Sequence, residues 1–309
     1  MADSGTSLKT IRSLRDLVTI KNFQRILRRR HEMVHGRENA FNRDIARTLT
    51  EIARRWVKVD AAVLNELKRL AGKVPSPLPG LTSKNKATLR QFDDLENLRR
   101  LIEMPNQLWA EVKRARTPSF RTILKAQAAL AIDILLYMPI RPQNLWALKF
   151  DEHIFLQKGV GAISSLELPA SEVKNRTEMG FDIPERLAKI LIQYRDRLVP
   201  KVFGRRRDRL FIKADGTAKN QWAVSWLIRR VIRQRLGLQL SPHQFRHLGA
   251  KLALDAEPGN FETVRQLLGH KSSRTTTSSY AGISSRRAAR HHRRLIEQAL
   301  TMQQPSRGR

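Results

Sequence analysis

Three prolines in five positions constrain this chain most, because they interrupt a pattern that is otherwise helical. They are Pro75, Pro77 and Pro79, and Gly80 follows them directly. A proline inside a helix removes a backbone donor and clashes with the preceding turn, so this run favours an extended segment. We therefore predict a domain of residues 1–80, a linker over 81–92 and a second domain over 93–309. An internal loop of the first domain is the alternative interpretation.

Both sides of the proline run predict helices. Before it, apolar residues recur at helical spacing and strand-like alternation is absent. These residues are Leu14, Leu17, Ile20, Phe23 and Ile26, then Ile45, Leu49, Ile52 and Trp56. After the run, helices are predicted over 98–112, 119–138, 184–199, 220–236, 243–254, 261–268 and 285–300, and short strands over 153–156, 162–168 and 180–183. The predicted fold class is mainly α: a helical N-terminal domain, then a mostly helical domain with a small antiparallel β-sheet.

The charge of the chain predicts a polyanionic partner. Lys and Arg number 59 against 28 Asp and Glu, a net charge of +31. Solubility of a small domain needs only roughly 2 to 8 charges, so the excess indicates nucleic acid or an anionic membrane surface. Residues 1–90 carry a net +12 and the remainder +19, so both parts are expected to face the polyanion.

A nucleic acid is the better of these two partners. The longest apolar stretch, residues 126–139, contains Asp133 and is too short to span a bilayer. No secretory signal is expected, since the first ten residues lack an apolar core. We expect a cytoplasmic protein that binds nucleic acid, and one associated with the nucleoid if that nucleic acid is DNA.

Several kinds of chemistry are excluded by what the sequence lacks. Without cysteine there is no disulfide scaffold, zinc finger or thiol nucleophile. Phosphate-binding loops, dinucleotide fingerprints and metal-binding helix signatures are also absent, so neither a cofactor nor a metal is expected. Cleavage of a phosphodiester would then need cationic side chains around the phosphate and a nucleophile supplied by the protein.

Three segments carry such residues. Arg141 lies between two prolines in the sequence Met138-Pro139-Ile140-Arg141-Pro142. His243 and Arg246 are three residues apart and share a helical face with His247. Gly269 is a predicted helix C-cap that turns His270 outward, and Tyr280 follows a hydroxyl-rich segment expected to be irregular. Taken singly, each segment also has an ordinary interpretation: a surface arginine, a helix N-terminus on a phosphate, or a core tyrosine.

The order of these segments resembles the tyrosine recombinase, or phage integrase, family. An arginine is followed by His-x-x-Arg, then Leu-Leu-Gly-His, then a tyrosine ten residues after that histidine, and the match covers most of residues 90–309. The resemblance implies that the helical N-terminal part is the family's core-binding domain, which binds DNA. It also implies that the second part is the catalytic domain.

The resemblance assigns roles residue by residue. Arg141 matches the first catalytic arginine and Tyr280 the nucleophile. His243 with Arg246 matches the His-x-x-Arg pair, and His270 matches the later histidine. The family also places a catalytic lysine in a β-hairpin, for which Lys174 is our choice and Lys158 the alternative. Two positions depart from the family pattern: Asn144 replaces a common acid, and Leu248 replaces a common small hydroxyl residue.

The function implied by the resemblance is site-specific recombination of double-stranded DNA. Strands would be cut and rejoined through a 3′-phosphotyrosyl link, by four protomers that exchange strands through a Holliday junction. The predicted helix over 285–300 would dock onto a neighbouring protomer, or alternatively pack on its own domain or lie on DNA. The alternative functions are relaxation by a type IB topoisomerase and DNA binding by a catalytically silent relative.

Overall fold

The computed structural model describes residues 12–33, 40–75, 80–157, 159 and 163–282, together with Ala289, His292, Arg293 and Ile296. The chain divides into two compact units, Met1–Pro79 and Gly80–Arg309, so that the boundary falls at the end of the proline run. The predicted helix over 285–300 lies outside the described residues apart from the four named above. Which partner each unit binds stays a prediction.

The described part of the first unit is helical. Asp60 begins its last helix by accepting a hydrogen bond from the N–H of Val63. Buried apolar side chains from the helices and their connections form one core: Val18, Phe23, Ala46, Leu49, Ala53 and Leu67. The helices are α1 (Leu14–Leu17), α2 (Ile20–Met33), α3 (Ala40–Ile52) and α4 (Ala61–Gly72).

Trp56 departs from the apolar stripe that the sequence predicts. Helix α3 continues into a π-helical turn at Ala53–Val57, and the wider turn shifts every later side chain around the helix axis. Ala53 is buried, whereas Trp56 is 73% exposed. The helical spacing that includes Trp56 therefore identifies the helix but does not place this side chain in the core.

The second unit contains most of the helices and all of the described strands. Its helices surround α7, whose residues 126–135 are buried on every side. A helix of this kind is apolar around most of its circumference because it has no solvent-facing side, and its buried polar residues Gln127 and Asp133 are both hydrogen-bonded. The helices are α5 (Ser83–Arg90), α6 (Leu95–Arg114), α7 (Phe120–Tyr137), α8 (Pro142–Ala147), α9 (Glu185–Gln193), α10 (Val199–Phe203), α11 (Gln221–Leu236), α12 (Pro242–Ala256) and α13 (Phe261–Leu268), with a π-helical turn at Tyr194–Leu198.

A small antiparallel sheet interrupts the helices, as predicted. Its strands are β1 (Ile154–Phe155), β2 (Ser164–Leu168) and β3 (Met179–Ile183), in the order β1-β2-β3. Leu166 pairs with Ile154 on one side and with Phe181 on the other. The predicted fold class, mainly α with one small antiparallel sheet, is confirmed.

Residues 81–92 form part of the second unit rather than a linker. The side chain of Thr82 accepts a hydrogen bond from the N–H of Asn85 and so caps α5. Leu89 and Phe92 are buried in the core of the second unit. The sequence did not predict this helix because its apolar residues are too few to form a stripe, and the helix is held by its cap and by packing against α12.

An ion pair with a buried carboxylate joins α7 to α9. Asp133 is 2% exposed, and both of its carboxylate oxygens accept from Nη2 of Arg186 in α9, at 2.6 and 2.7 Å. Nη1 of the same guanidinium donates to Asn106 in α6 at 2.6 Å.

In the described part of the chain, no helix combines the length and apolarity needed to cross a membrane.

Removing the cation of this pair should destabilise the second unit. We expect Arg186→Met to lower the free energy of unfolding by about 3 kcal/mol, because it leaves a buried carboxylate without its partner. The matched control is Lys189→Met in the same helix, which breaks an exposed pair with Glu185 and should cost far less, because exposed ion pairs contribute little to stability. Urea unfolding measures both changes, and equal losses would contradict the role of the buried pair.

Candidate active site

Arg141 lies in a turn that is stiffened by prolines on both sides. It is the N-cap residue of α8, and Pro142 occupies the first position of that helix. The side chain is partly buried, and burial lowers the pKa of its guanidinium. Within the described residues, the buried Nη1 of Arg141 has no hydrogen-bond partner. A buried donor without an acceptor costs free energy, which is typical of a position that receives a bound anion.

Arg246 joins two loops from within α12. Its Nη1 donates to the carbonyl of Pro139 at 2.7 Å, and its Nη2 donates to the carbonyl of Leu268 at 2.6 Å. The residue is 4% exposed. Burial, followed by the charge of Arg141, lowers the pKa of Arg246 to about 10. The guanidinium therefore remains charged at neutral pH, close to the second guanidinium of the site.

His243 lies in the first turn of α12, which begins with a capping box. Ser241 accepts from the backbone N–H of Gln244, and the Gln244 side chain accepts from the backbone N–H of Ser241. His243 is exposed. Desolvation by the surrounding protein lowers the pKa of its imidazole, and the charges of Arg246 and Arg141 lower it further. These effects favour the neutral ring, which can accept a proton.

His270 follows the glycine that ends α13. Gly269 adopts φ 58°, as a left-handed C-cap does, and this confirms the predicted helix end. Nδ1 of His270 lies 2.9 Å from the hydroxyl of Thr276, which is fully buried. Burial, then the charges of Arg246 and Arg141, lower the pKa of His270 to about 4, so its ring is neutral at neutral pH.

Tyr280 is buried in a helical segment. Residues 273–282 are helical, so the prediction of an irregular hydroxyl-rich segment is wrong. Ser and Thr compete with the helix backbone for hydrogen bonds and therefore suggest loops, but burial of Thr276 holds this segment in place. Tyr280 is 2% exposed and packs among the apolar residues Ala250, Leu254, Val264 and Leu268. Burial raises the pKa of Tyr280 to about 12, and the charge of Arg246 opposes that rise.

His247 contacts Tyr280 directly. The sequence placed it on the same helical face as His243 but gave it no role. Its Nδ1 lies 2.8 Å from the Tyr280 hydroxyl, and its Nε2 lies 3.1 Å from Nδ2 of Asn85. Its ring also stands nearly perpendicular to that of His243, with the centroids 5.1 Å apart. Burial, then neighbouring positive charges, lower the pKa of His247 to about 4. The available signal was its spacing of four residues from His243, which places both rings on one face.

Lys174 lies in the β2–β3 connection beside the cluster. It is exposed, and in the described part of the chain no hydrogen bond or ion pair joins it to the other predicted residues. Its neighbour Asn175 donates to the carbonyl of Gly269 at 2.6 Å, next to His270. Asn144, which replaces the acid common in the family, donates to the carbonyl of Glu172 at 3.1 Å. Both amides therefore fix the loop that carries Lys174. The alternative, Lys158, lies outside the described residues.

Five of the six predicted residues form one cluster. Arg141 and Arg246 act electrostatically on each other and on His243 and His270, and Arg246 also acts on Tyr280. Leu248, the second departure from the family pattern, is buried in the core and does not belong to this group. Over the described ranges, no group of three or more His, Cys, Asp or Glu could hold a metal ion.

A basic cleft opens beside the N-terminus of α12. It has a volume of about 1120 Å³, and residues of α5, α11 and α12 line it. Trp226 is 52% exposed there, and the Arg230 guanidinium lies 4.8 Å from the centre of its ring. Further residues that line the cleft are Lys84, Thr88, Arg229, Arg233, Ser241 and Gln244. Cations beside an exposed aromatic ring are suited to a phosphate backbone with nearby bases.

The part of the chain that holds this cluster matches a known protein family. The model of the phage integrase family matches residues 101–287, which include the whole cluster. The chain belongs to the phage integrase family. Comparison with curated protein sequences found no match.

Solved structures of recombinases resemble this integrase-family chain at low identity. XerH, a site-specific recombinase bound to its difH substrate, is 16% identical with a TM-score of 0.47, covering 83% of this chain and 73% of its own. The XerA recombinase is 16% identical with a TM-score of 0.42, covering 84% and 85%. A lambda integrase dimer bound to a core site is 15% identical with a TM-score of 0.36, covering 75% of each chain.

The flexible end of the Met179 side chain lies where a Cβ at position 269 would be. A Cβ at Gly269 would lie 2.5 Å from Sδ of Met179, whereas a Cβ at Gly237 would have nothing within 4 Å, although both glycines have positive φ. We expect Gly269→Ala to destabilise the protein more than Gly237→Ala in urea unfolding, but by less than the roughly 1–3 kcal/mol of a rigid overpacked core, because the end of Met179 can move. Met179→Ala opens a cavity and is destabilising by itself. The double variant should therefore lose less stability than the sum of the two single losses, and simple additivity would contradict the contact.

Proposed function

We propose that this protein is a site-specific DNA recombinase, or integrase, which cuts and rejoins double-stranded DNA through a 3′-phosphotyrosyl intermediate. One observation carries the proposal: the buried guanidinium of Arg246 and the partly buried guanidinium of Arg141 lie in one cluster with the buried Tyr280, and Nη1 of Arg141 has no partner among the described residues. Such a site favours a phosphate close to a hydroxyl nucleophile. Membership of the phage integrase family, through residues 101–287, supports the same chemistry.

The two arginines would stabilise the charge that develops on the phosphate. When a nucleophile attacks a phosphodiester, negative charge gathers on its non-bridging oxygens. Arg141 and Arg246 can donate to these oxygens from positions where water is largely excluded, and such donors are most effective there. His270 can donate a further hydrogen bond. Because Arg246 is already held by two backbone carbonyls, little reorganisation is needed when the charge appears.

Cleavage would transfer the phosphate to Tyr280. A bond forms between the Tyr280 oxygen and phosphorus, and the bond from phosphorus to the 5′ oxygen breaks. The neutral ring of His243 accepts the phenol proton, and Lys174 gives a proton to the departing 5′ oxygen. The reverse attack by a 5′-hydroxyl restores the phosphodiester and frees Tyr280 without ATP. Recombination results when that hydroxyl belongs to another strand.

The decisive variant is Tyr280→Phe, which removes the proposed nucleophile and keeps the ring. Wild-type protein incubated with sheared genomic DNA should give covalent adducts that survive SDS and heat, and sequencing of the attached DNA would give the target. Tyr280→Phe should give none, while it still shifts DNA in a native gel. The matched control is Tyr137→Phe in α7, which should keep adduct formation.

Two results would contradict the proposal. An adduct formed by Tyr280→Phe would mean that another residue is the nucleophile. Failure of the wild-type protein to form any adduct, with DNA binding intact, would favour a catalytically silent DNA-binding protein.

The basic cleft is the surface that we propose for DNA backbone contacts. Arg229 and Arg233 are exposed on α11 and line it. The logarithm of the binding constant falls with the logarithm of salt concentration by about 0.9 for each phosphate contacted. Replacing both arginines by alanine should therefore make this slope shallower by about 2. Fluorescence anisotropy with duplex DNA measures it.

The control for this measurement is Arg99→Ala. Arg99 is exposed on α6 and paired with Glu96 and Glu103, so its loss should leave the slope unchanged. An unchanged slope in the double variant would mean that DNA lies on another face.

A further inference from the structure

A chain of hydrogen bonds runs from the start of α12 to the Tyr280 hydroxyl. It begins at the backbone N–H of Ser241, which donates to Oε1 of Gln244 at 2.9 Å. A backbone N–H can only donate, so this contact fixes which end of the Gln244 amide is the oxygen. The opposite end, Nε2, donates to the Thr88 hydroxyl at 2.8 Å and to Oδ1 of Asn85 at 3.3 Å.

The same reasoning fixes the amide of Asn85. With its oxygen accepting from Gln244, its Nδ2 faces Nε2 of His247 at 3.1 Å. An amide nitrogen only donates, so Nε2 of His247 must be the unprotonated nitrogen of the ring. The proton of the neutral ring is then on Nδ1, which lies 2.8 Å from the Tyr280 oxygen. A doubly protonated ring would place two donors against each other at Asn85.

We propose that His247 donates its Nδ1 proton in a hydrogen bond to the Tyr280 oxygen and stabilises the phenolate that forms during attack on DNA. Asn85 and Gln244 are positioning residues that hold His247 in the tautomer this requires. The proposal rests on the proposed recombinase reaction, in which Tyr280 is the nucleophile. It adds to that reaction a residue on the nucleophile itself.

This arrangement determines where the phenol proton goes. His247 already donates to the Tyr280 oxygen, so it cannot accept the proton of that hydroxyl in the same geometry. The proton must leave to another base, which is the role given to His243 above. Burial raises the pKa of Tyr280 to about 12, and a hydrogen bond to the charged form acts in the opposite direction. His247 therefore offsets part of the cost of placing the nucleophile in a buried site.

The tautomer can be measured without DNA. In the full-length protein labelled with ¹⁵N-histidine, long-range ¹H–¹⁵N correlations at pH 7 show which ring nitrogen carries the proton. The His247 signals are those that vanish in His247→Asn. We expect a neutral ring protonated at Nδ1, and protonation at Nε2 in the wild-type protein would overturn the proposal.

Asn85→Asp tests whether Asn85 selects this tautomer. A carboxylate only accepts, so Nε2 of His247 should gain a proton in this variant. The matched control is Asn97→Asp, because Asn97 donates to the carbonyl of Gln91 and is outside the chain of hydrogen bonds. It should leave the His247 signals unchanged. An unchanged tautomer in Asn85→Asp would remove Asn85 from the proposal.

Cleavage rates distinguish a donor from a base at position 247. The substrate is a duplex carrying the sequence recovered from wild-type adducts, cut in a single turnover. His247→Leu removes the donor and should be about a hundredfold slower, whereas His247→Asn keeps an amide donor near Nδ1 and should be only about tenfold slower. If both variants are equally slow, His247 acts as a base and the proposal fails.

Failure of this inference can be separated from failure of the proposed function. Wild-type adducts together with a ring protonated at Nε2 would overturn the role of His247 and leave the recombinase intact. Absence of wild-type adducts would overturn the reaction, and with it the catalytic role of His247, whichever tautomer is observed.

Discussion

The geometry of the site depends on the two hydrogen bonds that the Arg246 guanidinium donates to backbone carbonyls. The guanidinium holds the carbonyls of Pro139 and Leu268, which belong to segments far apart in the chain. Each segment reaches a proposed functional residue two positions later: Arg141 in the first and His270 in the second. A buried cation is costly unless hydrogen-bonded, so the carbonyls stabilise Arg246 as much as Arg246 orders the loops. Loss of the guanidinium would therefore disturb both loops.

The charge balance of the cluster favours an anion. Burial and neighbouring charges lower the pKa of His247 and His270 to about 4, so both rings are neutral at neutral pH and the positive charge lies on the two arginines. Within the described residues, neither Arg141 nor Arg246 forms an ion pair with a carboxylate. Two like charges without a counterion are unfavourable, and a phosphate between them removes the repulsion. Binding of an anion between the two arginines would therefore lower the electrostatic free energy of the site.

The sequence patterns predicted secondary structure and motifs better than they predicted side-chain contacts between distant segments. Helical spacing and the spacing of His-x-x-Arg depend on a few neighbouring residues, so most helices and five clustered residues could be found. Trp56 continues the apolar spacing but is exposed, since a π-helical turn leaves no signal in the pattern. Helix α5 was missed because its stability comes from a cap and tertiary packing. His247 was seen on the correct face, but its contacts with Asn85 and Tyr280 depend on segments that only the fold brings together.

The capping box of α12 shows how one local motif acquires a distant consequence. Ser241 and Gln244 satisfy each other at the helix start, a pairing that is visible in the sequence as Ser-x-x-Gln. The same contact orients the Gln244 amide, and Asn85 passes that orientation to His247. Ser241 and Gln244 also line the basic cleft, so the surface proposed for DNA and the hydrogen bonds that end at Tyr280 share residues. Substitution of Gln244 would therefore change helix capping, cleft and tautomer together, whereas Asn85 separates the tautomer from the cap.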